Sequence, residues 1–185
     1  MKMDARPYLL LALGILGGCA GTPPPDKPST QERCYSHGEI RTCTAYPAPS
    51  RQQIAEVKKL RPPPVGVSRL VLVRNDWRDA YGQAQLVLDG TNLPTLIPCS
   101  VVGVDVKPGE HQLQMGYMAA AASPLRVTLK PREVAVVSVK RMPPGTGPRG
   151  FSLLPLERAD AMALIQECAV VGFLDQMATG GGEAR

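Results

Sequence analysis

From Ser68 onward the chain is a succession of short β-branched and aliphatic runs separated by turn residues, and this alternation restricts the possible folds more than any other feature. Residues 69–74 (RLVLVR) and 84–88 (AQLVL) are two such runs, and Asp89-Gly90 closes the second as a hairpin-type turn. Two more, 101–106 and 110–117, flank Lys107-Pro108-Gly109. Val102, Val104 and Val106 alternate with Val101, Gly103 and Asp105, while Leu113 and Met115 alternate with Gln112 and Gln114. A period of two puts alternate side chains on one face, so each strand presents an apolar face that needs a shared core. Leu125, Val127 and Leu129 repeat the pattern, 133–140 (EVAVVSVK) reads as a central strand, and 151–154 as a last short one. The expectation is a mainly β chain, an antiparallel β-sandwich.

Past residue 154 the period changes. Ala161, Leu164, Ile165, Cys168 and Val171 fall on one helical stripe, so a C-terminal α-helix from about Glu157 is expected to pack on the sandwich with Cys168 pointing inward. Upstream, Ser50 and Gln53 have capping-box spacing, and Ile54, Val57 and Leu60 follow at near-helical spacing until Arg61-Pro62-Pro63-Pro64 ends the helix. Cys34 and Cys43 surround His37-Gly38, which reads as a small disulfide-closed loop or hairpin. The organisation expected is a leader at 1–18, a Pro-rich tether at 19–32, the disulfide loop and short helix at 33–64, the sandwich with its helix at 65–178, and a disordered tail at 179–185.

The leader carries Lys2 and Arg6, then an apolar run over 9–16 too short to span a bilayer, then small residues before Cys19. Leu16-Gly17-Gly18-Cys19 resembles the lipobox of bacterial lipoprotein precursors. That resemblance implies a signal peptide over 1–18, diacylglycerol on the Cys19 thiolate, cleavage before Cys19, and acylation of the new amine by a palmitate-type chain. At about 0.8 kcal/mol per buried methylene one chain anchors marginally and several anchor stably. Ala20 stands where lipoproteins kept at the inner membrane tend to carry Asp, which implies an outer-membrane protein facing the periplasm.

Loss of 1–18 lowers the formal net charge from +5 to +4, spread along the chain with few aromatics, so no nucleic-acid partner is expected. With Cys19 given to lipid, four cysteines remain in an oxidising compartment. Nearness favours Cys34 with Cys43, and placement inside the main domain favours Cys99 with Cys168, buried free thiols being the alternative for the second pair. On the chain-entropy picture the short loop contributes about 2.7 kcal/mol and the long one about 4.4 kcal/mol. No zinc-type Cys-x-x-Cys spacing occurs, and neither metal nor cofactor is expected.

The segment with Leu86-Val87-Leu88-Asp89-Gly90, Pro98, Val104 to Val106 and Pro108-Gly109-Glu110-His111 resembles the small β domains called PEGA. Residues 69–165 are similar to uncharacterised bacterial lipoproteins in which an apolar strand ending in Arg, here Arg74, precedes the Asp-Gly strand and a helix closes the domain. The chain departs from both in Cys99 after the Pro and in the alanine-rich stretch 118–122. The resemblance implies a β-sandwich of unassigned function and carries over no catalytic residue.

For acid–base chemistry near neutral pH there are only His37 and His111, in different segments and without a neighbouring nucleophile motif. His111 reads as an edge-of-core residue hydrogen-bonded near the Pro108-Gly109 turn, and His37 as a turn residue. Asp76, Asp79 and Asp105 have no diagnostic spacing, and no Walker, dinucleotide or His-x-x-x-His motif occurs. Trp77, Arg78 and Tyr81 share one loop, 75–83, and Trp and Arg are the residues that most often anchor interfaces. The other use of Trp77 is to cap the open end of the sandwich. The basic, Pro/Gly-rich stretch 142–149 reads as a solvated loop. Together these features give a non-enzymatic envelope module, structural or binding, held by its lipid and facing an envelope protein or peptidoglycan. The alternative is an assembly subunit recruiting a secretion or surface machine, and the third reading a lipid-anchored hydrolase.

Overall fold

The computed structural model describes residues 30–76, 82–116, 124–142 and 150–179. Within these the chain is mainly β, with three sheets and a C-terminal helix. Strands β1 (Thr30–His37) and β2 (Ile40–Pro47) form an antiparallel hairpin turned by Gly38 at φ 59°. Cys34 faces Cys43 across it with Cα atoms 4.0 Å apart, and the two are disulfide-bonded.

Helix α1 (Arg51–Lys58) begins where the capping box predicts. Ser50 Oγ accepts from the Gln53 amide, and Gln53 Oε1 accepts from the Ser50 amide, so two of the amides orphaned at a helix start are satisfied.

A five-stranded sheet has the order β10 (Phe151–Leu156), β9 (Val134–Arg141), β3 (Ser68–Arg74), β6 (Ser100–Val106), β11 (Ala169–Asp175). A four-stranded antiparallel sheet has the order β5 (Thr91–Asn92), β4 (Leu86–Leu88), β7 (Gly109–Met115), β8 (Leu125–Leu129). One buried cluster draws on both: Leu70 and Leu72 of β3, Val102, Val104 and Val106 of β6, and Val137 and Val139 of β9 meet Leu86, Leu88, Leu113, Met115 and Leu129.

The alternate residues of the same central strands fill a second cluster on the other side. Val71, Val73, Val101 and Val136 pack there with Val57 of α1, with Leu60 just beyond it, and with Ala161 and Ile165 of α2 (Arg158–Glu167). Strands β3 and β6 are buried on both faces for this reason. Helix α1 and strand β11 come close here: a Cβ on Gly103 would lie 2.7 Å from Val57 Cγ2 and 2.9 Å from Phe173 Cδ2, so only glycine fits at that point of β6 without displacement.

Two sequence expectations require correction. The five-stranded sheet is mixed, not wholly antiparallel, because β3 runs parallel to β9 and β6 parallel to β11. Second, Cys168 and Val171 are not helical. Helix α2 stops at Glu167, and 169–175 (AVVGFLD), rich in β-branched and large apolar residues, adds an edge strand to β6. The helix's buried residues are therefore Ala161 and Ile165 alone. A short four-residue helix, α3 (Gln176–Thr179), follows β11.

Candidate functional site

The charged residues on β3 and β6 carry the most information, because a charge inside a doubly covered sheet must be paired. Arg69 and Asp105 are cross-strand neighbours in the β3–β6 ladder. Arg69 Nε donates to Asp105 Oδ1 at 2.6 Å and Nη2 to Oδ2 at 2.9 Å, the two-point geometry that suits a guanidinium to a carboxylate. Nη2 also donates to Glu56 Oε2 of α1 at 3.0 Å, and the guanidinium lies 5.1 Å from the Phe173 ring centre. With its side chain 1% exposed, Arg69 ties α1, β6 and β11 to β3.

Burial works against the Arg69 charge, but the hydrogen bonds and charges of Asp105 and Glu56 outweigh it and hold the pKa above its ordinary value. Glu56 is held below the ordinary carboxylate range, first by the hydrogen bond from Gln52, with Arg69 adding to it and burial opposing. A depressed carboxyl stabilises the fold above its unfolded pKa, and that contribution is lost as the pH falls through the lower folded value.

Arg74 ends β3 and is equally buried. Its Nη1 donates to the carbonyls of Gly82 at 2.5 Å and Leu96 at 3.0 Å, and its guanidinium lies 4.8 Å from the Phe151 ring centre. It thereby ties the end of β3 to Gly82 and Leu96.

The ends of the two helices hold each other. Lys58 Nζ donates to the carbonyls of Ile165 (2.6 Å), Gln166 (2.9 Å) and Cys168 at the end of α2. In return Gln166 Nε2 donates to Lys58 O at 2.6 Å and Arg158 Nη2 to Leu60 O at 2.9 Å. Carbonyls left over at both helix ends are satisfied this way, and the Lys58 charge is well placed for the α2 dipole. Burial lowers the Lys58 pKa, with Cys168 and Cys99 opposing.

Cys99 and Cys168 adjoin the same corner. They are two thiols, which corrects the expected disulfide: Cys99 is half-buried and Cys168 buried, and the second helps to fill the cluster beneath the helices. The Cys34–Cys43 disulfide is present.

His111 lies at the start of β7. Its Nδ1 is 2.6 Å from Asp89 Oδ2 and its Nε2 is 2.8 Å from Lys107 O, while Asp89 Oδ1 accepts from the Gln112 amide at 2.8 Å. Asp89, at φ 48°, thus binds the β4–β5 turn to β7. Both ring nitrogens are engaged with the protein, so the pair resembles a relay in its parts but offers a substrate no free nitrogen. Beside it an open groove of about 300 Å3 is lined by Asp89, Gly90, Glu110, Gln112 and Gln114.

His37 ends β1 at the hairpin turn, and Asp76 follows β3. Cys19, Asp79, the loop residues Trp77, Arg78 and Tyr81, and the stretch 143–149 lie outside the described residues. Among the described residues no helix is long and apolar enough to cross a membrane.

The Arg69–Asp105–Glu56 cluster escapes a reading by strand parity, which assigns Asp105 to a solvent face along with Gly103. Its signal in the sequence is the nearly continuous apolar run of 101–106, which suits a strand covered on both faces. Comparison of the chain with known protein families, with curated proteins and with solved structures finds no match.

Proposed function

We propose that the chain is a lipid-anchored lipoprotein of the bacterial envelope, held at the outer membrane through Cys19, facing the periplasm and acting as a non-enzymatic structural or binding module. The observation that carries this reading is the Cys34–Cys43 disulfide, because disulfides form and persist in oxidising, extracytoplasmic compartments. It agrees with the leader and with Leu16-Gly17-Gly18-Cys19, which precede the described body. We read that body as a β-sandwich, its two larger sheets face to face across the shared cluster and its helices on the outer side of the five-stranded one.

The use made of ionisable groups supports a module without catalysis. Arg69, Asp105, Glu56 and Lys58 join structural elements, and His111 and Asp89 join two turns. Trp77, Arg78 and Tyr81 are the proposed partner-binding residues, facing an envelope protein or peptidoglycan.

Cys19→Ser is the test. The wild-type protein is expected to fractionate with outer membranes, and the variant to remain an uncleaved, unlipidated precursor at the inner membrane. Normal cleavage and acylation of the variant, or a freely soluble wild-type protein, would overturn the reading.

A further inference from the structure

In the parallel ladder of β6 and β11, Ser100 is paired with Ala169, so Cys99 and Cys168 are the residues one step earlier on each chain. The Ala169 amide donates to Cys99 O at 3.1 Å, which holds the two backbones at ladder spacing. Neighbouring strands lie roughly 4.8 Å apart, inside the Cα separation of about 4.4–6.8 Å that a disulfide needs. The Cys99 side chain also turns toward the Cys168 end of α2, its Sγ 3.6 Å from the carbonyl of Glu167, the residue before Cys168.

The two sulfurs differ in surroundings. Cys99 is half-buried, with Sγ 3.6 Å from Glu167 O. Cys168 is 1% exposed, with Sγ 3.9 Å from Arg74 O. Burial pushes the Cys168 thiol far up, reinforced by Cys99 and relieved in part by Lys58, whose Nζ bonds to the Cys168 carbonyl. Cys99 also sits at φ 50°, a left-handed conformation that glycine or asparagine adopts at lower cost. Turn geometry alone gives no reason for a cysteine there.

We propose that Cys99 and Cys168 are a redox-active dithiol, with Cys99 the attacking sulfur, Cys168 the resolving one, and a disulfide of the thiol–disulfide exchange class as oxidant. The Cys99 thiolate attacks one sulfur of the incoming disulfide, forming a mixed disulfide and releasing one thiolate. Cys168 then gives up its proton, its sulfur attacks Cys99 Sγ, and the second thiolate leaves. Two protons lost from the cysteines end on the two released thiols, and two electrons pass to the oxidant. The fold needs no such bond, because the ladder, both helix ends and the buried cluster are complete with both sulfurs reduced. Oxidation would pin edge strand β11 and the end of α2 to the turn before β6.

The full chain, purified in detergent, is equilibrated with graded mixtures of reduced and oxidised glutathione, acid-quenched, alkylated with maleimide and peptide-mapped. A Cys99–Cys168 peptide is expected to appear and disappear reversibly over ratios at which Cys34–Cys43 stays oxidised. The linked form should melt about 10 °C higher. Cys168→Ala is expected to leave a lasting glutathione adduct on Cys99, and Cys99→Ser to leave Cys168 unlabelled in the folded protein. Failure of the wild-type pair to link at any ratio would overturn the proposal, as would a link that yields only on unfolding. A folded Cys168→Ala protein without the Cys99 adduct would overturn the order of attack. If that variant does not fold, the wild-type map decides alone.

Discussion

Asp105→Ala is expected to lower the unfolding free energy by about 3 kcal/mol, because it removes the two-point partner of a buried guanidinium and leaves it only the partly exposed Glu56. Arg69, 1% exposed at its side chain, would lose two of the three hydrogen bonds of its guanidinium and keep only Glu56. Its Nη1 is already buried without a hydrogen-bond partner among the described residues. Replacing both charges together, as Arg69→Met with Asp105→Leu, is expected to cost far less than the single change, because the desolvation penalty goes with the attraction. Urea unfolding at neutral pH measures both. A cost under about 1 kcal/mol for Asp105→Ala would mean that the guanidinium is solvated and that its pairing with Asp105 contributes little.

Leu72→Ala is the second large effect, expected at about 3 kcal/mol within the 2–5 kcal/mol usual for buried leucine truncations. Leu72 is fully buried on β3, in the cluster to which both larger sheets contribute. The change removes apolar contact and opens a cavity between elements that are each fixed by their own ladders and so relax little. Val65→Ala provides the control. Val65 is 82% exposed, and its truncation should stay within roughly 0.5 kcal/mol of wild type.

Parity was legible along the strands, and so were the turns. Val102, Val104 and Val106 share the cluster with Leu113 and Met115 as their alternation requires, and Asp89-Gly90 turns between β4 and β5. What parity does not carry is the fate of the other face. Val71, Val73 and Val101 occupy positions that a single-faced reading gives to solvent, and they are buried because α1 and α2 cover them. The Ser50–Gln53 box locates α1, but nothing local to residues 51–58 says which sheet it covers. That follows from Arg69 reaching Glu56 and Lys58 reaching the end of α2, contacts far apart in sequence.

The C-terminal stripe misled for a related reason. Cys168 and Val171 happen to extend the helical period of Ala161 and Ile165, yet Val170, Val171 and Phe173 are better strand formers, and an open edge beside β6 is available to them. The same edge explains the cysteines. A helix stripe and a strand ladder both bring Cys168 near Cys99, so sequence position could suggest their proximity without settling whether the sulfurs are joined. Strand direction is likewise hidden: β3 and β9 are parallel although each alternates or runs apolar just as an antiparallel strand would.

The chemistry at Cys19 decides whether the protein is a lipoprotein. Intact-mass and N-terminal peptide mass spectrometry of the mature protein, extracted from envelopes in detergent, should find a chain that begins at Cys19, with a diacylglyceryl thioether on its sulfur and an acyl amide on its nitrogen. A mature chain that begins elsewhere, or one that begins at Cys19 with a free thiol and a free amine, would contradict it.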